Sequence, residues 1–91
     1  MMRKIVFDFS HVESIDQLHS ELARIFDFPD YYGANLDALY DCLSGDIELP
    51  LRIIWKNYNI TRSKIGKDAE KVLKVMKDFA KDEPDFTLEV E

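Results

Sequence analysis

The sequence predicts an α/β fold with three parallel strands in the order 1-2-3, and three observations carry that prediction. Three short apolar runs, residues 4–9, 51–55 and 86–90, are separated by spacers with helical apolar periodicity. Spacers of that length make crossovers rather than hairpins, so neighbouring strands run parallel. The first and last runs alternate apolar with polar residues, whereas the middle run, LRIIW, is almost unbroken. That contrast puts residues 51–55 in the centre of the sheet, as a strand covered on both sides. No repeat, low-complexity run or linker interrupts residues 1–91, which read as a single small domain.

The elements follow in order. In KIVFDF, Ile5, Phe7 and Phe9 alternate with Lys4, Val6 and Asp8, the pattern of a half-buried strand. Ser14 with Gln17 three residues later is a capping-box signature. The helix it opens aligns Ile15, Leu18, Leu22, Ile25 and Phe26, with His19 at the stripe's edge, and Pro29 enforces its end. Asn35 as N-cap and Gly45 as C′ residue bracket a short second helix. Leu36, Leu39 and Leu43 form its buried stripe, flanked by Tyr40 and Cys42, while Asp37, Asp41 and Ser44 face outward. KNYNITRSKIG has room for one helical turn. Residues 67–81 form the clearest helix, with Ala69, Val72, Leu73, Met76, Phe79 and Ala80 inward and a row of lysines outward. Pro84 separates it from the last strand, FTLEV.

The net charge of −6 has one source. Between Arg24 and Arg52 there is no lysine or arginine, yet Asp27, Asp30, Asp37, Asp41, Asp46 and Glu48 fall there. Elsewhere acidic and basic residues balance. A concentrated negative segment makes a directed field and points to a basic partner; nucleic acid, which needs the opposite sign, is not one. The opening MMRKIVFDFSH lacks the apolar run of a secretory leader, and nothing approaches a membrane span. With Cys42 alone no internal disulfide can form, so the expected setting is the cytoplasm, with no membrane partner.

Catalytic readings fare poorly. Asp8, Ser10 and His11 are too close in sequence to build a triad by themselves. A carboxylate pair such as Asp37 and Asp41 supplies too few oxygens for a dedicated divalent site. Cys42 reads as a small buried hydrophobe. No cofactor motif is present, and no enzyme is expected. The lysines of residues 67–81 read as a solvated face, and Asp78 among them is partly neutralised. Of the adjacent tyrosines, Tyr32 is expected to turn inward as an anchor and leave Tyr31 outside.

The phrase PDYYGANLDALYDCLSG, followed by ELPLRIIW, resembles the barstar family, intracellular inhibitors of barnase-type ribonucleases. The resemblance covers essentially the whole chain. It implies a three-stranded parallel sheet packed with helices, and a loop and acidic helix over residues 29–46 that plug the ribonuclease active site. Position by position it implies contacts from Tyr31, Asn35, Asp37, Tyr40, Asp41, Gly45, Asp46 and Asp78, with Asp41 in the substrate phosphate site. Tyr40 and Asp46 stand where the best-known member has tryptophans, and Asp78 where it has glutamate. The expected partner is a basic ribonuclease in a 1:1 complex with a chain that is monomeric when free. The alternative expectation is a non-enzymatic module that binds a different basic protein through the same surface.

Overall fold

The computed structural model describes residues 3–91. Its elements run β1 (Arg3–Asp8), α1 (Ile15–Phe26), α2 (Leu36–Gly45), β2 (Leu51–Lys56), α3 (Tyr58–Ile65), α4 (Lys67–Asp82) and β3 (Phe86–Val90). The sheet has the order β1-β2-β3 with both pairs parallel, as predicted. Ile5 lies opposite Ile53, and Ile53 opposite Leu88.

This order has a geometric consequence. Two right-handed crossovers that step the same way across a sheet leave their helices on one face. Accordingly Ile5, Phe7, Leu51, Ile53, Trp55, Phe86 and Leu88, all of one pleat, join the core formed with α1, α2 and α4. The reverse pleat carries exposed Lys4, Val6, Asp8, Thr87 and Glu89. The middle strand is therefore not covered by helices on both sides. Ile54, its apolar residue on the reverse face, is buried but stands outside the core cluster, with Val6 and Glu89 beside it in register.

The core is aromatic where the first crossover packs. Phe7 stacks on Phe9 at 4.5 Å, meets Phe26 edge-on at 6.3 Å and leans on Trp55 at 5.5 Å. Each large apolar side chain fully removed from water contributes about 1.5–3 kcal/mol.

Helix ends depart from expectation by a residue or two. The Ser14 hydroxyl accepts from Gln17 N–H at 3.1 Å, but Gln17 Oε1 returns the bond to Glu13 N–H at 3.0 Å rather than to Ser14. α1 stops at Phe26 because Asp27 turns left-handed (φ 55°), two residues before Pro29 would have forced the end. α3 is a full eight residues rather than one turn, with Tyr58 and Thr61 buried. Gly66 joins it to α4 at φ 68° and ψ −138°, a region that residues with a Cβ avoid.

Candidate functional site

The loop between α1 and α2 sends its two tyrosines in opposite directions. Tyr32 is half-buried against Phe28 (4.9 Å) and His19, whereas Tyr31 is 77% exposed. Tyr31 lies inside a turn closed by Tyr32 N–H to Pro29 O at 2.9 Å, so the two neighbouring side chains leave the backbone in different directions. Gly33 allows a close approach: a Cβ there would stand 3.1 Å from Asn35 Nδ2, which would have to give by a few tenths of an ångström. Ala34 takes a left-handed conformation (φ 51°), and Asn35 returns to extended backbone.

Asn35 starts α2 as predicted. Its Oδ1 accepts from Ala38 N–H at 2.8 Å, and its Nδ2 donates to Gly33 O at 3.3 Å. Leu39, Cys42 and Leu43 fix the inner face of the helix in the core. Asp37 and Asp41 therefore stand together on the outer face, exposed, one turn apart. Among the described residues neither carboxylate has a lysine, arginine or histidine nitrogen within 4.0 Å. Asp37, in the first turn, is favoured by the helix dipole; Asp41, further along, is not.

Gly45 is not the left-handed residue beyond the helix end. It is the last helical residue, with open space where a Cβ would stand. Asp46 is the C-cap at φ −121°, and its N–H donates to Cys42 O at 2.8 Å. The helix thus ends on an exposed carboxylate at the end where the dipole disfavours one. Burial, followed by the neighbouring Asp46 side chain, pushes the Cys42 thiol above its ordinary range, which suits an inert packed sulfur.

Tyr40 has both roles that its position on the helix shoulder allows. Its ring meets Phe79 edge-on at 5.7 Å, and its hydroxyl donates to Asp82 Oδ2 at 2.8 Å. The structure so places Tyr31, Asn35, Asp37, Tyr40, Asp41, Gly45 and Asp46 on one continuous loop-and-helix unit. Asp78 stands apart on α4, where Lys74 Nζ bonds it at 2.9 Å and holds its carboxyl below the usual range. It is the one compensated acid of the set.

Two neighbours of the site were not legible as such. Asp82 lies one turn beyond Asp78 on α4, a spacing that could have flagged it. His19, expected at an edge, is 3% exposed. The loop over residues 28–34 closes on it, and helix periodicity does not register cover supplied by another segment. Among the described residues no group of three or more His, Cys, Asp or Glu could hold a metal ion. No helix there is long and apolar enough to cross a membrane.

A family model described as Barstar (barnase inhibitor) matches residues 2–91. The chain belongs to the barstar family. It is also 47% identical over 77 residues to a Bacillus subtilis (strain 168) protein named "Putative ribonuclease inhibitor YrdF", a match spanning 85% of each chain. The barstar family is one of inhibitors, so the chain is a binding protein and not an enzyme. The parallel 1-2-3 sheet with four helices agrees with the barstar-like fold that the sequence motif implied.

Proposed function

We propose that the chain is a stoichiometric inhibitor of a basic, barnase-type ribonuclease, plugging its active site with residues 29–46. The observation that carries this reading is the Asp37 and Asp41 pair: exposed, on a core-anchored helix, with no ion-pair partner among the described residues. A ribonuclease active site gathers Arg, Lys and His to bind phosphate and stabilise transition-state charge. A carboxylate carried on a rigid helix substitutes for that phosphate through charge-assisted hydrogen bonds, with Asp41 in the phosphate position. Tyr31 adds rigid contact area at low entropic cost. Asn35, Tyr40, Gly45 and Asp46 line the same surface, and Asp78 contributes at its margin.

Magnitudes favour such a design. Like charges one helical turn apart destabilise a helix by about 0.2–0.5 kcal/mol. Close charge pairs across an interface couple by about 1.5–7 kcal/mol, a range measured on the barnase–barstar complex, whose inhibitor belongs to this same family. The complex is 1:1 and the free chain monomeric, since acidic surfaces of two copies repel. A reducing cytoplasm suits the single buried thiol.

The test is inhibition of RNA cleavage by a barnase-type ribonuclease at molar excess of the chain. Cleavage should stop with the wild type, and Asp41→Ala should bind more weakly by over about 2 kcal/mol, the hot-spot range. Full cleavage by the enzyme at molar excess removes that enzyme class as the target. The exposed Asp46 at the helix end favours a second reading, a different basic protein as partner. Affinity capture with wild type against the Asp37→Ala, Asp41→Ala double variant separates the two.

A further inference from the structure

A cleft of about 260 Å³ opens between α1 and the loop that carries Tyr31. Sites that enclose a whole small molecule run to about 300–1,000 Å³, so this one is on the scale of a single side chain. Ala23, Phe28, Pro29, Tyr32 and Ala34 make most of its lining apolar, and Asp30 supplies a carboxylate. No lysine or arginine lines it. Burial, against the opposing Asp16 and Asp68, lowers the proton affinity of the His19 ring, so that ring brings no positive charge to the cleft at pH 7. Among the described residues Asp30 has no lysine, arginine or histidine nitrogen within 4.0 Å. Arg24, next in sequence to Ala23, is held instead by Glu21 Oε2 at 2.6 Å. Asp30 and Tyr31 are the two corner residues of the turn closed by Tyr32 N–H to Pro29 O, and both are exposed. A surface that covers Tyr31 therefore reaches the mouth of the cleft as well.

We propose that this cleft receives one arginine side chain of the partner ribonuclease. This rests on the reading that residues 29–46 form the inhibitory surface, and it extends that surface onto α1 through Ser20 and Ala23. The chemistry of the cleft selects the occupant. Asp30 repels an anion, and a purely apolar side chain would strip water from that carboxylate without replacing it. A cation with an apolar stem satisfies both parts of the lining, its methylenes against Pro29 and Ala34 and its charge at Asp30. Arginine suits the site better than lysine. Its planar guanidinium is more weakly hydrated, pairs with a carboxylate through two N–H groups, and lies favourably on an aromatic face. Phe28 and Tyr32, with ring centroids 4.9 Å apart, supply that aromatic surface. Asp37 and Asp41 meet cations with carboxylates alone; Asp30 meets one with an aromatic wall beside it.

The experiment measures dissociation from a barnase-type ribonuclease for wild type, Asp30→Asn, Asp27→Asn and Ser20→Leu. Asp30→Asn should dissociate about tenfold faster, the scale of one hydrogen bond between charged groups. Asp27→Asn removes the same charge from the same segment outside the cleft, and it should dissociate as wild type does. Ser20→Leu fills the cleft from an exposed position on α1 and should match Asp30→Asn. A second arm needs no ribonuclease: acetyl-arginine amide is titrated into the free chain by NMR. The Ala23 and Ala34 methyl signals should shift in wild type and stay still in Asp30→Asn and Ser20→Leu. Asp30→Asn that dissociates like Asp27→Asn overturns the proposal, as do methyl signals that ignore the probe. Equal shifts from acetyl-lysine amide overturn the choice of arginine. If Asp41→Ala weakens binding and the cleft variants do not, the cleft is wrong and the inhibitory surface stands. If the ribonuclease does not bind but the arginine probe seats in the cleft, the choice of enzyme is wrong and the cleft stands.

Discussion

The Tyr40 hydroxyl donates to Asp82 Oδ2 at 2.8 Å and so ties the middle of α2 to the last residue of α4. A half-buried tyrosine and an exposed aspartate thereby brace the helix that carries Asp37 and Asp41 against the longest helix of the fold. The ring beneath, edge-on to Phe79, gives the same joint its apolar half.

That joint predicts a tyrosine titration. The hydrogen bond to Asp82, before any other cause, raises the Tyr40 phenol above its ordinary value of 10. A group whose folded value is raised contributes stability that is present below the unfolded value and lost as pH climbs through the folded one. Ultraviolet titration should show Tyr40 among the phenolates that form late, with Tyr32 and Tyr58, which burial raises, and Asp82→Asn should move the Tyr40 step alone back toward 10. Unfolding curves between pH 8 and pH 11 should lose the corresponding dependence in Tyr40→Phe.

The core beneath the site makes a stability prediction. Leu39 is fully buried on the inner face of α2. Leu39→Ala removes its apolar contacts and leaves a cavity, at a cost of about 2–5 kcal/mol. Denaturant melts should show a lower midpoint with little change of slope. If the midpoint does not move, α2 is not anchored as described.

Asp8 makes an acid-side prediction. Its Oδ1 accepts from Ser10 N–H at 2.8 Å and its Oδ2 from Asn57 Nδ2 at 2.7 Å, joining the ends of β1 and β2. Bonds from Ser10, then from Asn57, hold the carboxyl below its ordinary 3.8. With the folded value depressed, the stabilisation is complete above 3.8 and is lost as pH falls through the lower folded value. Asp8→Asn should flatten that part of the stability profile, and between pH 7 and pH 9 it should lower stability by a constant amount without changing the slope.

Much of this fold was legible because its cues are local. Alternation in residues 4–9 and 86–90, the cap at Asn35 and the stripe of residues 67–81 each act within a few turns of chain. What escaped was set by distant segments. The continuous run LRIIW suggested cover on both faces, but with parallel crossovers stepping one way, helices reach only one. His19 looked like an edge residue until the Phe28–Ala34 loop folded over it. Gly45 was given the left-handed role that Asp27, Ala34 and Asn57 take elsewhere, while Gly45 itself stays helical. Of the site, Tyr31 outward, Tyr32 inward and the outward Asp37 and Asp41 followed from sequence order and helical phase. The Tyr40 link to Asp82 required the packing of α2 on α4.

The Asp37 and Asp41 pair should move stability and binding in opposite directions. In the free chain the two carboxylates sit one turn apart with no ion-pair partner among the described residues, so each repels the other. Replacing Asp41 by Asn removes that repulsion and should leave the melting midpoint unchanged or raise it, by an amount near about 0.2–0.5 kcal/mol. In the complex the same change leaves an arginine or lysine of the partner without its counter-charge in a desolvated cleft, which weakens binding far more than it stabilises the monomer. Association should also slow with added salt, because charges more than about 8 Å apart are largely screened at physiological ionic strength. The double variant should show a smaller salt dependence than wild type. A residue kept for folding would lower stability and affinity together; a residue kept for a cationic partner separates them, and the sign of the stability change tells which it is.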